Sequence, residues 1–265
     1  MRLLSTLPIY YDYAATLPID SHLVLTPLFS FRPLTPPVRL IADLPTMMTT
    51  PEGQLVDIAV VPMDTDLGRA LVAIWHTFVQ RPFIDDVATF PAAKDRADRG
   101  WTWTSTSVAL SAGIYLRGYE PFSFVLVTYD ESGKPVPVGL AIGINPYDCV
   151  RSVGKPPIAR AFAWYLTGIP PWGCEHMGIP ALSPTTMIVE ICRLFSAQYG
   201  GKGRIVLHAS HEGRERLLRF YQEKCKLRVI PRTRKIRSIL PLFRRLNDGR
   251  YLYSDAYTPS SDDDL

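Results

Sequence analysis

Residues 183–227 constrain the fold of this chain more than any other stretch. Ser183-Pro184 supplies a hydroxyl cap and a proline at the first turn, the pattern that opens a helix. Ile188, Ile191, Cys192 and Phe195 then recur at helical spacing and give that helix one apolar stripe, which Gly200-Gly201 end. Residues 204–209 (RIVLHA) read as a short strand. Ser210 offers the next cap, and Leu217, Leu218, Tyr221 and Cys225 make the inner face of a second helix. A strand reached through a helix pairs parallel to its predecessor, because only a long crossover brings the chain back in the same direction. The segment therefore calls for an α/β fold with at least one parallel pair.

The partner of that pair lies upstream. Residues 158–166 (IARAFAWYL) form a plausible strand, followed by a loop rich in proline and glycine up to Pro180. Before it, residues 122–129 and 136–144 read as two strands joined by the turn cluster Asp130-Glu131-Ser132-Gly133-Lys134. In the second of these, Val138, Leu140, Ile142 and Ile144 alternate with Pro137, Gly139, Ala141 and Gly143. One face is bulky and the other nearly bare, so a helix or ligand can approach the backbone closely. Residues 55–61 (LVDIAVV) read as an earlier strand. An amphipathic helix then runs from Asp66 through Leu67, Ala70, Leu71, Ile74, Trp75, Phe78 and Val79 until Pro82 stops it. Residues 81–100 are charged and irregular, and 101–116 mix aromatic and apolar residues in a second candidate helix. Residues 227–230 and 251–253 are the expected closing strands.

With 265 residues, 47% hydrophobic and 20% charged, the chain suits one globular domain carrying an extension. We expect a Pro-rich arm over 1–52, the domain over 53–257 and a disordered acidic tail over 258–265. A net charge of +4 permits a nucleic-acid partner without implying one. Cys149, Cys174, Cys192 and Cys225 include no C-x-x-C pair and read as buried reduced thiols. No run reaches the ~20 apolar residues of a membrane span. Together these point to a cytoplasmic protein of unspecified oligomeric state.

The order strand, helix, helix, hairpin, strand, helix, strand, helix, strand, strand, with YGGKGRIVLHAS and RFYQEKCKL, resembles the GNAT superfamily of N-acetyltransferases. The resemblance spans 55–257 and is best in the last hundred residues. That superfamily has a mixed central sheet flanked by helices, and its strand-helix unit ends in F-Y-x-K-x-G-F. Here Phe220, Tyr221 and Lys224 stand, with Cys225-Lys226-Leu227 in place of Gly-Phe. Its pyrophosphate pattern Q/R-x-x-G-x-G/A is not intact: CEHMGIPALSPTT stands there, with Gly178 and Ala181 as remnants. Pro180 and Pro184 each remove a backbone donor, while Thr185, Thr186 and Met187 still offer N–H groups to an anion at the helix start.

The resemblance implies acyl transfer from acetyl-CoA or another acyl-CoA to an amine, on a small molecule or a protein, by direct attack. Residues Ala163, Trp164, Tyr165 and Leu166 of the splayed strand would hold the cofactor and polarise its carbonyl. Tyr221 would protonate the departing thiolate; alternatively it only fills the helix face. Glu175, His176 and Glu190 are candidate bases, none singled out by spacing, with Glu190 the one carried forward. Trp101, Trp103 and Tyr115, with Tyr119, fall where an acceptor pocket would lie, or belong to the core. Asp85, Asp86, Asp95 and Asp98 would suit a cationic acceptor. His208 and His211 are three apart but lack carboxylates at matching spacing, so no metal is expected. Arg228, Arg232, Arg234, Lys235, Arg237, Arg244 and Arg245 form a basic cluster that reads as a solvated face or a partner contact. A catalytically inactive binding protein on the same scaffold is the alternative. The two readings differ at one place: an enzyme needs a cleft between 158–166 and 204–209, which Trp164 or Tyr165 would fill in a binding protein.

Overall fold

Seven strands pair into one mixed sheet in the computed structural model, which describes residues 44–104, 120–147, 158–234, 236 and 247–255. A separate antiparallel pair, β1 (Met47–Thr49) and β2 (Leu55–Asp57), precedes it. The sheet consists of β3 (Ala59–Pro62), β4 (Glu120–Tyr129), β5 (Pro135–Tyr147), β6 (Arg160–Gly168), β7 (Ile205–His208), β8 (Arg228–Val229) and β9 (Tyr251–Tyr253). Its order is β3-β4-β5-β6-β7-β9-β8, and only β6 and β7 run parallel. The helices are α1 (Asp66–Trp75), α2 (Pro171–His176), α3 (Pro184–Gln198) and α4 (Arg214–Glu223). A mixed sheet flanked by helices is what the sequence leads one to expect, and the β6–α3–β7 crossover is its parallel step. Most of the Pro-rich arm, the bulk of the 101–116 candidate helix including Tyr115, Tyr119, Cys149 and the acidic tail lie outside the described residues.

The bare face of β5 does what its composition predicts. A Cβ at Gly139 would lie 2.5 Å from Cδ1 of Ile188, so glycine there lets α3 press on the strand. Near Gly143, the Phe122 ring stacks on Phe195 of α3 at 5.2 Å. Cys174, Cys192 and Cys225 are buried free thiols. No helix among the described residues is long and apolar enough to cross a membrane.

Several local expectations are corrected. The 55–61 strand breaks at buried Ile58, whose N–H bonds to Thr46 O at 2.8 Å, so its halves serve different sheets. Pro82 does not stop the amphipathic helix: α1 passes into a π-helix, His76–Asp85, that contains it. The wider register shows in side chains five apart, as the Trp75 indole donates to Gln80 Oε1 at 3.1 Å and Gln80 Nε2 to Asp85 Oδ1 at 2.9 Å. The proline-rich loop contains α2, opened by Pro171 at its first turn. Neither serine acts as a side-chain cap: Ser183 makes no capping bond, and Ser210 donates to the Glu212 carboxylate while α4 starts at Arg214. At the end of α4, Leu227 N–H returns to Tyr221 O at 3.1 Å across Lys226, whose φ of +54° is one that glycine favours. Lysine thus sits in the left-handed position of a motif that commonly employs glycine.

The glycine face yields an ordering. At Gly143 a Cβ would collide with Phe122 Cζ and lie 2.5 Å from the Phe162 carbonyl oxygen, whereas at Gly139 the nearest obstacle is the flexible end of Ile188. Gly143→Ala should therefore cost more stability than Gly139→Ala, with the former losing about 1–3 kcal/mol in urea denaturation.

Candidate functional site

The cleft begins where β6 parts from β7. The two strands pair only at Ala161–Ile205, Phe162–Val206 and Ala163–Leu207, and β6 then continues to Gly168 without β7 beside it. The cause is written in the pairing with β5, where Ile142 faces Tyr165 but the next residue, Gly143, faces Ala163. Trp164 is the extra residue of a β-bulge, which bends a strand and strengthens its twist. Adjacent side chains on a regular strand point to opposite faces, yet the rings of Trp164 and Tyr165 stack at 6.0 Å with only 16° between their planes. The alternation is broken where the strands diverge.

The result is a cavity of about 420 Å³ whose walls include β6 from Ala163 to Gly168, the end of β7, the first turn of α3 and the inner face of α4. Tyr221 lines it and is buried, with 4% of its surface exposed. Burial, followed by the nearby Cys225 and Asp98, pushes its phenol far above the ordinary range, so it stays protonated. Thr185 lines the cavity beside Leu182 and Ser183, and Pro184 and Thr185 come close to β6 because Gly168 has no side chain. Ala163, Trp164 and Leu166 line it; Tyr165 turns to Trp101, edge to face at 4.5 Å. Trp101 also lines the cavity, while Trp103 is buried behind it with its indole N–H unpartnered among the described residues.

Other sequence candidates lie elsewhere. Glu190 sits on α3 paired with Arg193, away from the cavity lining, and burial raises its carboxyl despite that arginine. Thr186 donates back to Ser183 O at 3.0 Å. Gly178 follows α2 in a left-handed conformation, and neither it nor exposed Ala181 lines the cavity. Glu175 and His176 are exposed on α2, where His176 packs against Phe83 and Phe90. Within the basic cluster, Arg228 pairs with Asp255 and lies over the Tyr253 ring. Lys235, Arg237, Arg244 and Arg245 lie outside the described residues.

Asp98, a sequence candidate for a cationic acceptor, is instead tied into a polar frame of the cleft that the sequence did not indicate. Asp98 is buried, and its carboxylate receives both Arg96 Nε at 2.9 Å and the Thr167 hydroxyl from β6. Arg96 Nη2 also donates to Gly168 O at 2.8 Å, and buried Gln80 donates to Asp98 O at 2.8 Å. The 96–98 segment is thereby tied to the free half of β6 on one side and to the π-helix on the other. On the opposite wall, the buried Arg250 guanidinium fastens the loop after β7 by donating to Ala209 O at 2.7 Å, Ser210 O at 3.0 Å and Arg214 O at 2.5 Å. Arg214 itself has φ +47° and reaches Asp95 at 3.0 Å, both residues being part of the cavity wall. The Asp98–Thr167 and Arg96–Gly168 contacts join residues 69 and 72 apart and the Arg250 contacts residues 36 to 41 apart, which no local pattern announces.

No family model matches the sequence, and no curated protein matches it. Among solved structures, the chain is similar to a mutant AtaT toxin bound to the C-terminus of the antitoxin AtaR and acetyl-CoA, at 12% identity over 75% of this chain and 92% of that one, with a TM-score of 0.36. It is also similar to a histone acetyltransferase HPA2 and related acetyltransferase from Corynebacterium glutamicum, at 14% identity over 77% and 99%, with a TM-score of 0.34.

The two arginine contacts at the cleft should differ sharply in energetic weight. Arg96→Leu leaves Asp98 charged, buried and without its cation, and should cost about 3–5 kcal/mol. Arg214→Ala removes an exposed pair and should cost less than about 1 kcal/mol in the same denaturation experiment.

Proposed function

We propose that the cleft binds an acyl-CoA, acetyl-CoA first among them, and transfers its acyl group to an amine. The observation that carries this reading is the open wedge between β6 and β7, with the protonated phenol of Tyr221 in its wall. A thioester lying along the free edge of β6 meets backbone N–H groups that no strand occupies. Such donors stabilise the oxyanion that forms as the amine attacks the carbonyl carbon. The first turn of α3, with Thr185, Thr186 and Met187 donating and Pro184 at the one position where a missing N–H costs least, faces the pyrophosphate. Arg96, Arg214 and Arg216 in the wall add positive charge for the phosphates.

In the transfer step the amine nitrogen forms the new bond to the carbonyl carbon, the C–S bond breaks, and the amine proton leaves to solvent. The thiolate takes a proton from Tyr221, and the phenolate is reprotonated through water. In water a phenol and a thiol differ by about 1.5 pKa units, or about 2 kcal/mol. Burial raises the Tyr221 phenol, and the same dry surroundings disfavour an anionic thiolate leaving group. Trp101 and Trp164, with Tyr165 packed on both, offer an aromatic wall for the acceptor.

Tyr221→Phe should lower kcat by roughly 100-fold or more while leaving acyl-CoA affinity nearly unchanged. Because the phenol is protonated well past its ordinary range, the wild-type rate should show no alkaline fall attributable to it below about pH 10. Equal losses of turnover and affinity would remove Tyr221 from the acid role.

A further inference from the structure

Two imidazoles and one carboxylate converge at the end of β7, on groups that acyl transfer leaves unused. His208 is the last residue of β7 and His211 opens the short 3-10 turn, His211–Gly213, three positions on. Asp248 enters from the turn before β9. His208 Nε2 lies 2.8 Å from Asp248 Oδ2, and His211 Nε2 lies 2.9 Å from the same oxygen. The three ligand atoms all lie within 4.8 Å of one another.

The arrangement is held in place from behind. Asp248 Oδ1 accepts the Arg250 N–H at 2.9 Å, which leaves Oδ2 turned toward the imidazoles. The His208 ring packs on Tyr251 of β9, with centroids 4.6 Å apart. Arg250 in turn holds the carbonyls of Ala209 and Ser210, which fixes the chain that carries His211. Partners that orient ligands in this way are a common feature of metal sites.

We propose that His208, His211 and Asp248 bind a divalent transition-metal ion, with zinc the best match. Two imidazole nitrogens and one carboxylate oxygen are the donor set of open-coordinated zinc and related ions, whereas calcium and magnesium prefer oxygen alone. Ligand distances of 2.0–2.2 Å around a tetrahedral ion place neighbouring donor atoms roughly 3.3 Å apart. The observed 2.8 and 2.9 Å separations reach that spacing with shifts of about 0.5 Å, supplied by the largely exposed His211 and by a small rotation of the Asp248 carboxylate relative to His208. Three protein ligands leave at least one coordination position to water or another donor. His208 is part of the cleft wall, so the ion would sit at its rim and fasten the turn before β9 to the loop that leads into α4. The inference stands on these three residues and does not depend on the acyl-transfer reading.

Chelator-treated full-length protein titrated with zinc chloride by calorimetry should bind one ion per chain. Cobalt(II) in its place should give visible bands of a four- or five-coordinate nitrogen–oxygen site without thiolate charge transfer. His211→Ala and Asp248→Asn should each weaken zinc binding by more than roughly tenfold. His211 is exposed, so its variant should keep the wild-type circular dichroism and report on binding alone. Absence of stoichiometric zinc binding would overturn the site, leaving a hydrogen-bonded His–Asp–His clamp. So would binding that survives both substitutions, or a cobalt spectrum dominated by sulfur.

Discussion

The parting of β6 from β7 is the constraint on which the rest of the site depends. Three residue pairs hold the strands together, and the extra residue Trp164 then swings β6 away while it remains bonded to β5. An open edge in the middle of a sheet leaves backbone donors and acceptors without strand partners, a cost the fold must offset. Arg96 satisfies part of it directly at Gly168 O, and the buried Asp98 carboxylate ties Arg96 to Thr167. The unpaired half of β6 lines the cavity, and the proposed binding site rests on that open edge.

Both walls of the wedge are built by long-range polar fasteners. On one side Gln80, buried in the π-helix, donates to Asp98 O. On the other, Arg250 collects three carbonyls of the loop between β7 and α4 and so fixes the direction from which Tyr221 enters. The sheet beneath is closed by apolar contacts, with α3 seated on the glycine face of β5 and the Phe122–Phe195 stack beside it. Apolar packing sets where the helices lie, and the polar fasteners set how far the cleft stays open.

Much of the frame was legible because it is periodic. The α3–β7–α4 run, the β4–β5 hairpin and the bare face of Gly139 and Gly143 follow from spacing and residue size, and from them the parallel step followed. Tyr221 was legible as the aromatic position of an apolar helical stripe. What escaped is what depends on partners far along the chain: the Thr167 partner of Asp98, the Arg250 clamp and the carboxylate that meets His208 and His211. The π-helix escaped because Pro82 ordinarily ends a helix, and only the wider register accommodates it. The cap at Ser210 failed for a local reason, since Glu212 two residues on captures its hydroxyl. Glu190 was a candidate base that no spacing singled out; in the fold it pairs with Arg193 and does not line the cavity.

The central claim is that the wedge between β6 and β7 accepts an acyl-CoA despite the prolines around the start of α3. Calorimetric titration of the purified protein with acetyl-CoA, with longer acyl-CoA species and free CoA alongside, tests it most directly. The account predicts saturable one-site binding in the micromolar range for acetyl-CoA or a longer homologue. No heat of binding with any of them would contradict it and mark the cleft as the seat of a different ligand.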